Sequence, residues 1–455
     1  EEHFESKSMC TAKWLQSTTN LQTGQTHSSH HPVQHKIPLE EILSNPTAIH
    51  NTNHKKNQRA LMMRGERPPE CEYCWNVEDL EGDHFSDRTY KSTDYIWSTP
   101  NLNDIVDAGS HGNIIPTYLE VSFENTCNFK CMYCTPDVSS KWMEEVERFG
   151  PYPNGQGDLR YIEKVGKLPI PIREENPYVD AFWKWWPELY PKLKVFRITG
   201  GEPLLSKNTW KVLDYIIENP RPDLSIAINS NMQPPDELLN KLIEKIKLLD
   251  GKLKDLTIFT SAEAAGKQCN YIRYGMDYDK WLANCNRILT ETKVDLNIMV
   301  TFNGLSLFSF KDFLTDIWKL RVTYNEHDSH NRIPIMIAYL RWPEHQTIKI
   351  IPDIFKKKYF QEISEFVDSR MRTTSPHKSG RFYLEEVDQL NRLIEYSKND
   401  NSTERTIELR AIFYEFFKEY DKRKGTDIVE TFPEIKEYWG HCNELHSSRK
   451  SLWNK

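Results

Sequence analysis

Between residues of about 113 and 345 the chain alternates between two hydrophobic periods. Short apolar, β-branched runs stand at 117–122, 194–199, 224–229, 256–260, 294–301 and 333–340. Helical patterns separate several of them, as at 209–218 and 236–249. Near-continuous apolar strands joined through helices indicate a parallel sheet with both faces covered. Six such units predict an α/β fold built on a partial (β/α)6 TIM-like barrel rather than the full eight units. The stretch from about 136 to 193 is too long for a simple crossover and carries Trp142, Trp183, Trp185 and Trp186. We expect it to be an insertion near the barrel mouth.

The flanks differ. Residues 1–110 are rich in His, Asn, Thr and Ser and read as an irregular N-terminal metal-binding module, with helices expected at 39–43 and 57–65. The Pro68-Pro69 pair stops the second helix. So polar a region could hardly bury a core without a staple. Residues 346–455 are highly charged, with helical patterns at 354–367, 384–396 and 404–422. The expected division is therefore 1–110, 111–345 and a mainly helical 346–455.

The chain has 455 residues, of which 38% are hydrophobic and 12% aromatic. That composition supports a globular core and excludes disordered and collagen-like classes. A net charge of −7 gives no general attraction to nucleic-acid or lipid phosphates. No run approaches the roughly 20 apolar residues of a membrane span, so a cytoplasmic protein is expected. Nine cysteines, an odd number, argue against a disulfide framework and for clustered thiols as metal ligands.

Three of those cysteines, Cys127, Cys131 and Cys134, fall within eight residues directly after the first barrel strand. Soft thiolates on a short loop select zinc or an iron–sulfur cluster. Zinc wants a fourth ligand, and the loop offers none. Three thiolates leave one corner of a cubane cluster open to a cofactor or substrate. A second element, Thr199-Gly200-Gly201-Glu202-Pro203, follows the next predicted strand. Its glycines let backbone approach a bound ligand closely, and Glu202 can accept hydrogen bonds from an ammonium group.

The C-x3-C-x2-C spacing, Tyr133 before the last cysteine, and the Gly-Gly-Glu-Pro turn resemble the radical S-adenosylmethionine superfamily. The resemblance implies a [4Fe-4S] cluster on Cys127, Cys131 and Cys134 that holds S-adenosylmethionine and cleaves it to a 5′-deoxyadenosyl radical. It implies cofactor contacts from Tyr133, Gly200, Gly201, Glu202, Ser230, Asn231, Ser261, Glu263 and Arg273, Arg273 pairing with the methionine carboxylate. An ordinary loop or capping role is the alternative for Ser230, Asn231, Ser261, Glu263 and Arg273. An electron donor such as flavodoxin or ferredoxin is implied as partner.

Cys71-Glu72-Tyr73-Cys74 and Cys10 resemble the half-size auxiliary-cluster module called the twitch domain, of twitch/SPASM-like proteins, here placed before the barrel. The module implies a second iron–sulfur cluster. Where its second cysteine would be expected stands Ser28-Ser29-His30-His31-Pro32. Histidine can ligate clusters, so the expected ligands are Cys10, His30, Cys71 and Cys74. His31, His35, Cys442, an open corner or a zinc knuckle are the alternatives. Proline after His31 restricts that residue's backbone and makes His30 the first choice. Cys269, Cys285 and Cys442 are read as structural. Ser139, Ser140 and Trp142 are read as a helix cap and a packed indole. The expected activity is hydrogen abstraction from a peptide or protein side chain, with a small metabolite, nucleotide or sugar as the alternative substrate. A non-catalytic metal-binding scaffold is the third reading. No catalytic acid or base stands out.

Overall fold

The structure is a computed structural model, which describes residues 7–81, 84–326, 330–371 and 379–453. Among them are eleven strands: β1 Gln16–Asn20, β2 Gln25–His27, β3 His35–Lys36, β4 Tyr118–Ser122, β5 Lys130–Cys131, β6 Val195–Thr199, β7 Arg221–Ser230, β8 Leu253–Ser261, β9 Arg273–Tyr274, β10 Asp295–Phe302 and β11 Ile335–Tyr339. The chain divides into two compact units. The first comprises residues up to 126 with 160–229 and 248–256; the second comprises 127–159, 230–247 and 257 onward.

The six apolar runs all form strands. In the first unit β4 pairs parallel with β6, and β6 with β7. In the second, β10 pairs parallel with β8 and with β11. Burial alternates along β10 and the latter part of β7, so one face of each carries Ile, Leu, Val and Phe into the core. The expected helices form at Lys207–Glu218 and Asp236–Leu249. The C-terminal region carries helices Asp353–Asp368, Leu384–Tyr396, Thr403–Lys424 and Lys436–Trp453. The fold is thus α/β, with parallel strands and a helical C-terminal region. No helix among the described residues is long and apolar enough to cross a membrane.

The N-terminal region departs from the irregular reading. Its β1 pairs parallel with β4 along its whole length, and β2 and β3 follow antiparallel. The reason it escaped a hydrophobic pattern is chemical. The β1 sequence is Gln-Ser-Thr-Thr-Asn, buried through polar contacts rather than apolar ones. Thr19 Oγ1 donates to the Glu120 carbonyl at 3.2 Å, and the buried Lys55 ammonium donates to Ser17 Oγ and Thr26 Oγ1 at 3.0 and 2.8 Å. The same unit buries an apolar cluster including Trp14, Leu15, Met62, Trp75, Trp97 and Ile105, to which Cys10, Cys71 and Cys74 belong.

Two buried histidines bear on stability. Burial depresses the ring of His27 in the first unit and of His345 in the second, each to about 3. The unfolded chain takes up a proton at each ring near pH 6.5, whereas the folded chain does so only near 3. Stability is therefore full above pH 6.5 and falls as pH drops through that window, by about 1.4 kcal/mol per pH unit for each ring. Denaturant titrations at pH 7 and pH 5 should show the loss. His27→Gln and His345→Gln should each flatten the dependence.

Candidate functional site

The three loop cysteines lie in the second unit, half-buried. Strand β5 carries Cys131 and pairs with β9, setting Cys131 opposite Arg273. A Met132 N–H bond to the Ile272 carbonyl at 2.9 Å continues that tie. The Arg273 guanidinium makes three hydrogen bonds to the fully buried Glu263 carboxylate, at 2.7–3.0 Å, and approaches Cys131 Sγ at 3.8 Å. Tyr133 donates its hydroxyl to Glu263 Oε1 at 3.0 Å. Arg273, Glu263 and Tyr133 therefore form one buried knot beside Cys131. Burial works against the Arg273 charge, but Glu263, Tyr133 and Cys131 outweigh it and raise the guanidinium well above its ordinary value. Arg273 has a protein carboxylate as its partner, where the sequence suggested the carboxylate of methionine.

The loop is held by residues drawn from several places in the second unit. Ser140 Oγ accepts the Cys127 N–H at 3.1 Å and donates to the Cys127 carbonyl at 3.2 Å. Trp142 Nε1 donates to the Cys131 carbonyl at 2.8 Å. Gln156 Nε2 donates to the carbonyls of Met132 and Cys134, at 3.0 and 3.3 Å, and Gln346 Nε2 reaches Met132 at 3.2 Å. Ser139 does cap the helix Ser140–Phe149, but its neighbours do more than cap and pack. The signal for Trp142 and Ser140 was their closeness to the loop in sequence; Gln156 and Gln346 had none. Trp142→Phe keeps the ring and removes the bond, while the Cys131 carbonyl still accepts the Cys134 N–H at 3.0 Å. We expect a stability loss of about 0.5–1.5 kcal/mol, that of a single hydrogen bond, read by denaturant unfolding.

Asn231 Nδ2 donates to Asn128 Oδ1 at 2.7 Å, bringing the residue after β7 to the cysteine loop. Ser230 Oγ accepts the Met232 N–H at 3.0 Å. Ser261 ends β8 opposite Met299.

The glycine turn lies in the first unit, at the end of β6. Gly200 has φ +125°, a region that favours glycine. At Gly201 an added Cβ would stand 2.3 Å from the Thr126 carbonyl oxygen. The Glu202 N–H donates to that same oxygen at 2.7 Å, and Glu202 Oε1 accepts the Leu204 N–H at 3.1 Å from a buried position. Thr126 is the residue before Cys127, so the turn grips the chain where the cysteine loop starts. Gly201→Ala must displace that backbone. We expect it to lose cluster iron while the far-ultraviolet circular dichroism stays unchanged.

In the first unit, Cys10, Cys71 and Cys74 line one small cavity together with Lys13, Ser28 and His31. Burial raises the Cys71 thiol to about 11 and raises that of Cys10, the Lys13 ammonium opposing it in both. His30 is not on this wall: its Nε2 lies 3.4 Å from Gln16 Nε2 and its ring meets Tyr118 edge-on. His35 bonds Thr52 Oγ1 at 2.9 Å instead. Cys442 is buried in the second unit beside Tyr438. Cys269 and Cys285 are buried too.

The central donor set fits the group it is expected to hold, whereas His30 stands apart from the three thiols of the first unit. Three thiols crowd the central loop, and burial, then the proximity of Cys131 and Cys127, push the Cys134 thiol well above its ordinary value. Such a set stays ionised only around a strong positive centre. Among the described residues no three His, Cys, Asp or Glu side chains form a group that would hold a single metal ion.

No family model matches the chain. It is 30% identical over 198 residues to a GTP 3′,8-cyclase of Nautilia profundicola, covering 43% of this chain and 52% of that protein. It is 26% identical over 158 residues to a GTP 3′,8-cyclase of Campylobacter lari, covering 34% and 40%. The chain thus spans about half or less of the length of these curated relatives. A crystal structure of Streptococcus suis SuiB overlaps 80% of this chain and 70% of its own, with a TM-score of 0.34 and 13% identity. The cysteine loop, the glycine turn and these relatives together support the radical S-adenosylmethionine superfamily.

Proposed function

We propose that this chain is a radical S-adenosylmethionine enzyme that abstracts a hydrogen atom from a peptide or protein side chain. The observation that carries the enzyme class is the loop of three thiols beside the Arg273–Glu263–Tyr133 knot. When bound, a [4Fe-4S] cluster and S-adenosylmethionine would supply the electron and the 5′-deoxyadenosyl radical. The protein's part is to hold and orient. Cys127, Cys131 and Cys134 bind the cluster. Gly200 and Gly201 would let backbone approach the cofactor, and Glu202 would accept hydrogen bonds from its ammonium. Ser230, Asn231 and Ser261, at strand ends, are the remaining polar candidates for its ribose and carboxylate. The hydrogen-bonded carbonyls of Cys131, Met132 and Cys134 keep the loop's polar groups satisfied without water. Flavodoxin or ferredoxin would donate the electron.

Cys10, Cys71 and Cys74 would hold a second, auxiliary iron–sulfur cluster in the first unit. That likeness to the twitch-type module supports a peptide substrate. The second reading is a small nucleotide, supported by the activity for which the relatives are named. Anaerobically reconstituted, dithionite-reduced protein should form 5′-deoxyadenosine from S-adenosylmethionine. Adding candidate peptides or nucleotides carrying deuterium should transfer the label into it. Absence of the product altogether would sink the enzyme reading. Label from nucleotides alone would overturn the peptide substrate.

A further inference from the structure

We infer that His31 completes the Cys10–Cys71–Cys74 site and that Asp87 positions its ring; this rests on the auxiliary-cluster reading above. The backbone turns at Ser29, whose φ is +67°. Residues 28, 29, 31 and 32 then face the cavity while residue 30 does not. The His31 ring stacks on Tyr73 at 3.8 Å between centroids and 15° between planes. Tyr73 is the residue before Cys74 in the Cys71–Cys74 pair, so the imidazole is held against the segment that carries two of the thiols. On its other edge, His31 Nε2 lies 3.3 Å from Asp87 Oδ2. A metal-ligating histidine characteristically gives its second ring N–H to a carboxylate, which sets the tautomer. Asp87 Oδ2 also meets the Lys91 ammonium at 2.6 Å, which fixes the carboxylate beside Nε2; a bond from Nε2 to it would leave Nδ1 for iron.

An independent observation comes from Ser28. It is 1% exposed, lines the same cavity, and its Oγ has no hydrogen-bond partner in the protein. A buried hydroxyl left unsatisfied is costly. A cluster sulfur or thiolate in the cavity would accept a hydrogen bond from it. Three thiols, one imidazole and one orphaned donor therefore surround a single space. A neutral imidazole in place of a fourth thiolate leaves the site one negative charge lighter, which raises its reduction potential.

The test uses the full chain with Cys127, Cys131 and Cys134 all replaced by alanine, reconstituted anaerobically with iron and sulfide. About four irons and four sulfides per chain are expected, and pulsed EPR of the reduced protein should show nitrogen coupling from one imidazole. Adding His31→Cys should keep the iron, abolish the coupling and lower the potential; His30→Ala should change neither. Asp87→Asn should speed iron removal by a chelator by about 10- to 100-fold. The unaltered chain carrying His31→Cys alone repeats the comparison without the triple substitution. A cluster lacking nitrogen coupling, or coupling lost in His30→Ala and kept in His31→Cys, overturns the inference. If the triple variant binds only zinc, or no iron and sulfide, the auxiliary-cluster reading falls and takes this one with it.

Discussion

Cys127→Ala should reduce 5′-deoxyadenosine formation to the level of a blank without enzyme, and should remove about four irons per chain. The loop offers three thiols and no other ligand-type side chain within it, so deletion leaves two corners of a cubane without thiolate. Substitution should leave the fold intact. Cys127 is only half-buried, and its backbone bonds to Ser140 do not use the sulfur. Iron analysis, the visible spectrum and chromatography of the nucleoside product check this together. Product persisting at a tenth or more of the unaltered rate would show that the radical chemistry does not depend on this loop.

Glu263→Ala should cost about 3–5 kcal/mol of stability, the expected loss when one partner of a buried ion pair is removed. Glu263 is fully buried, and both its oxygens bond to Arg273. Deleting it strands a guanidinium that is 7% exposed and leaves the Tyr133 hydroxyl without its acceptor. Because Arg273 lies opposite Cys131 on the β5–β9 pair, iron content should fall as well. Glu263→Gln retains an acceptor and should lose less. A change below about 1 kcal/mol in denaturant unfolding would place the pair among weak surface-type bridges.

What could be read from residues alone follows the kind of chemistry involved. The six parallel strands bury one face, and its alternate Ile, Val, Leu and Phe make the strands legible, although the sequence suggested two fully covered faces. The cysteine loop and the glycine turn are contiguous motifs, legible because their ligands are near neighbours in sequence. Strand β1 was invisible because its burial is satisfied by hydroxyls and Lys55, which no hydrophobic period announces. Gln156 and Gln346 reach the loop only after the chain has folded, from about 22 and more than 200 positions away. The choice between His30 and His31 turned on one backbone angle at Ser29. Adjacent residues differ in facing, and the proline argument that favoured His30 concerns conformation, not direction.

The ties on the cysteine loop carry a consequence for maturation. Ser140, Trp142, Gln156 and Gln346 fix the carbonyls of the loop without touching a thiol. The conformational entropy of ordering these residues is thus spent when the polypeptide folds, not when metal arrives. A ligand shell prepared in this way can receive its inorganic core late, from an assembly machine or in a test tube, with no refolding.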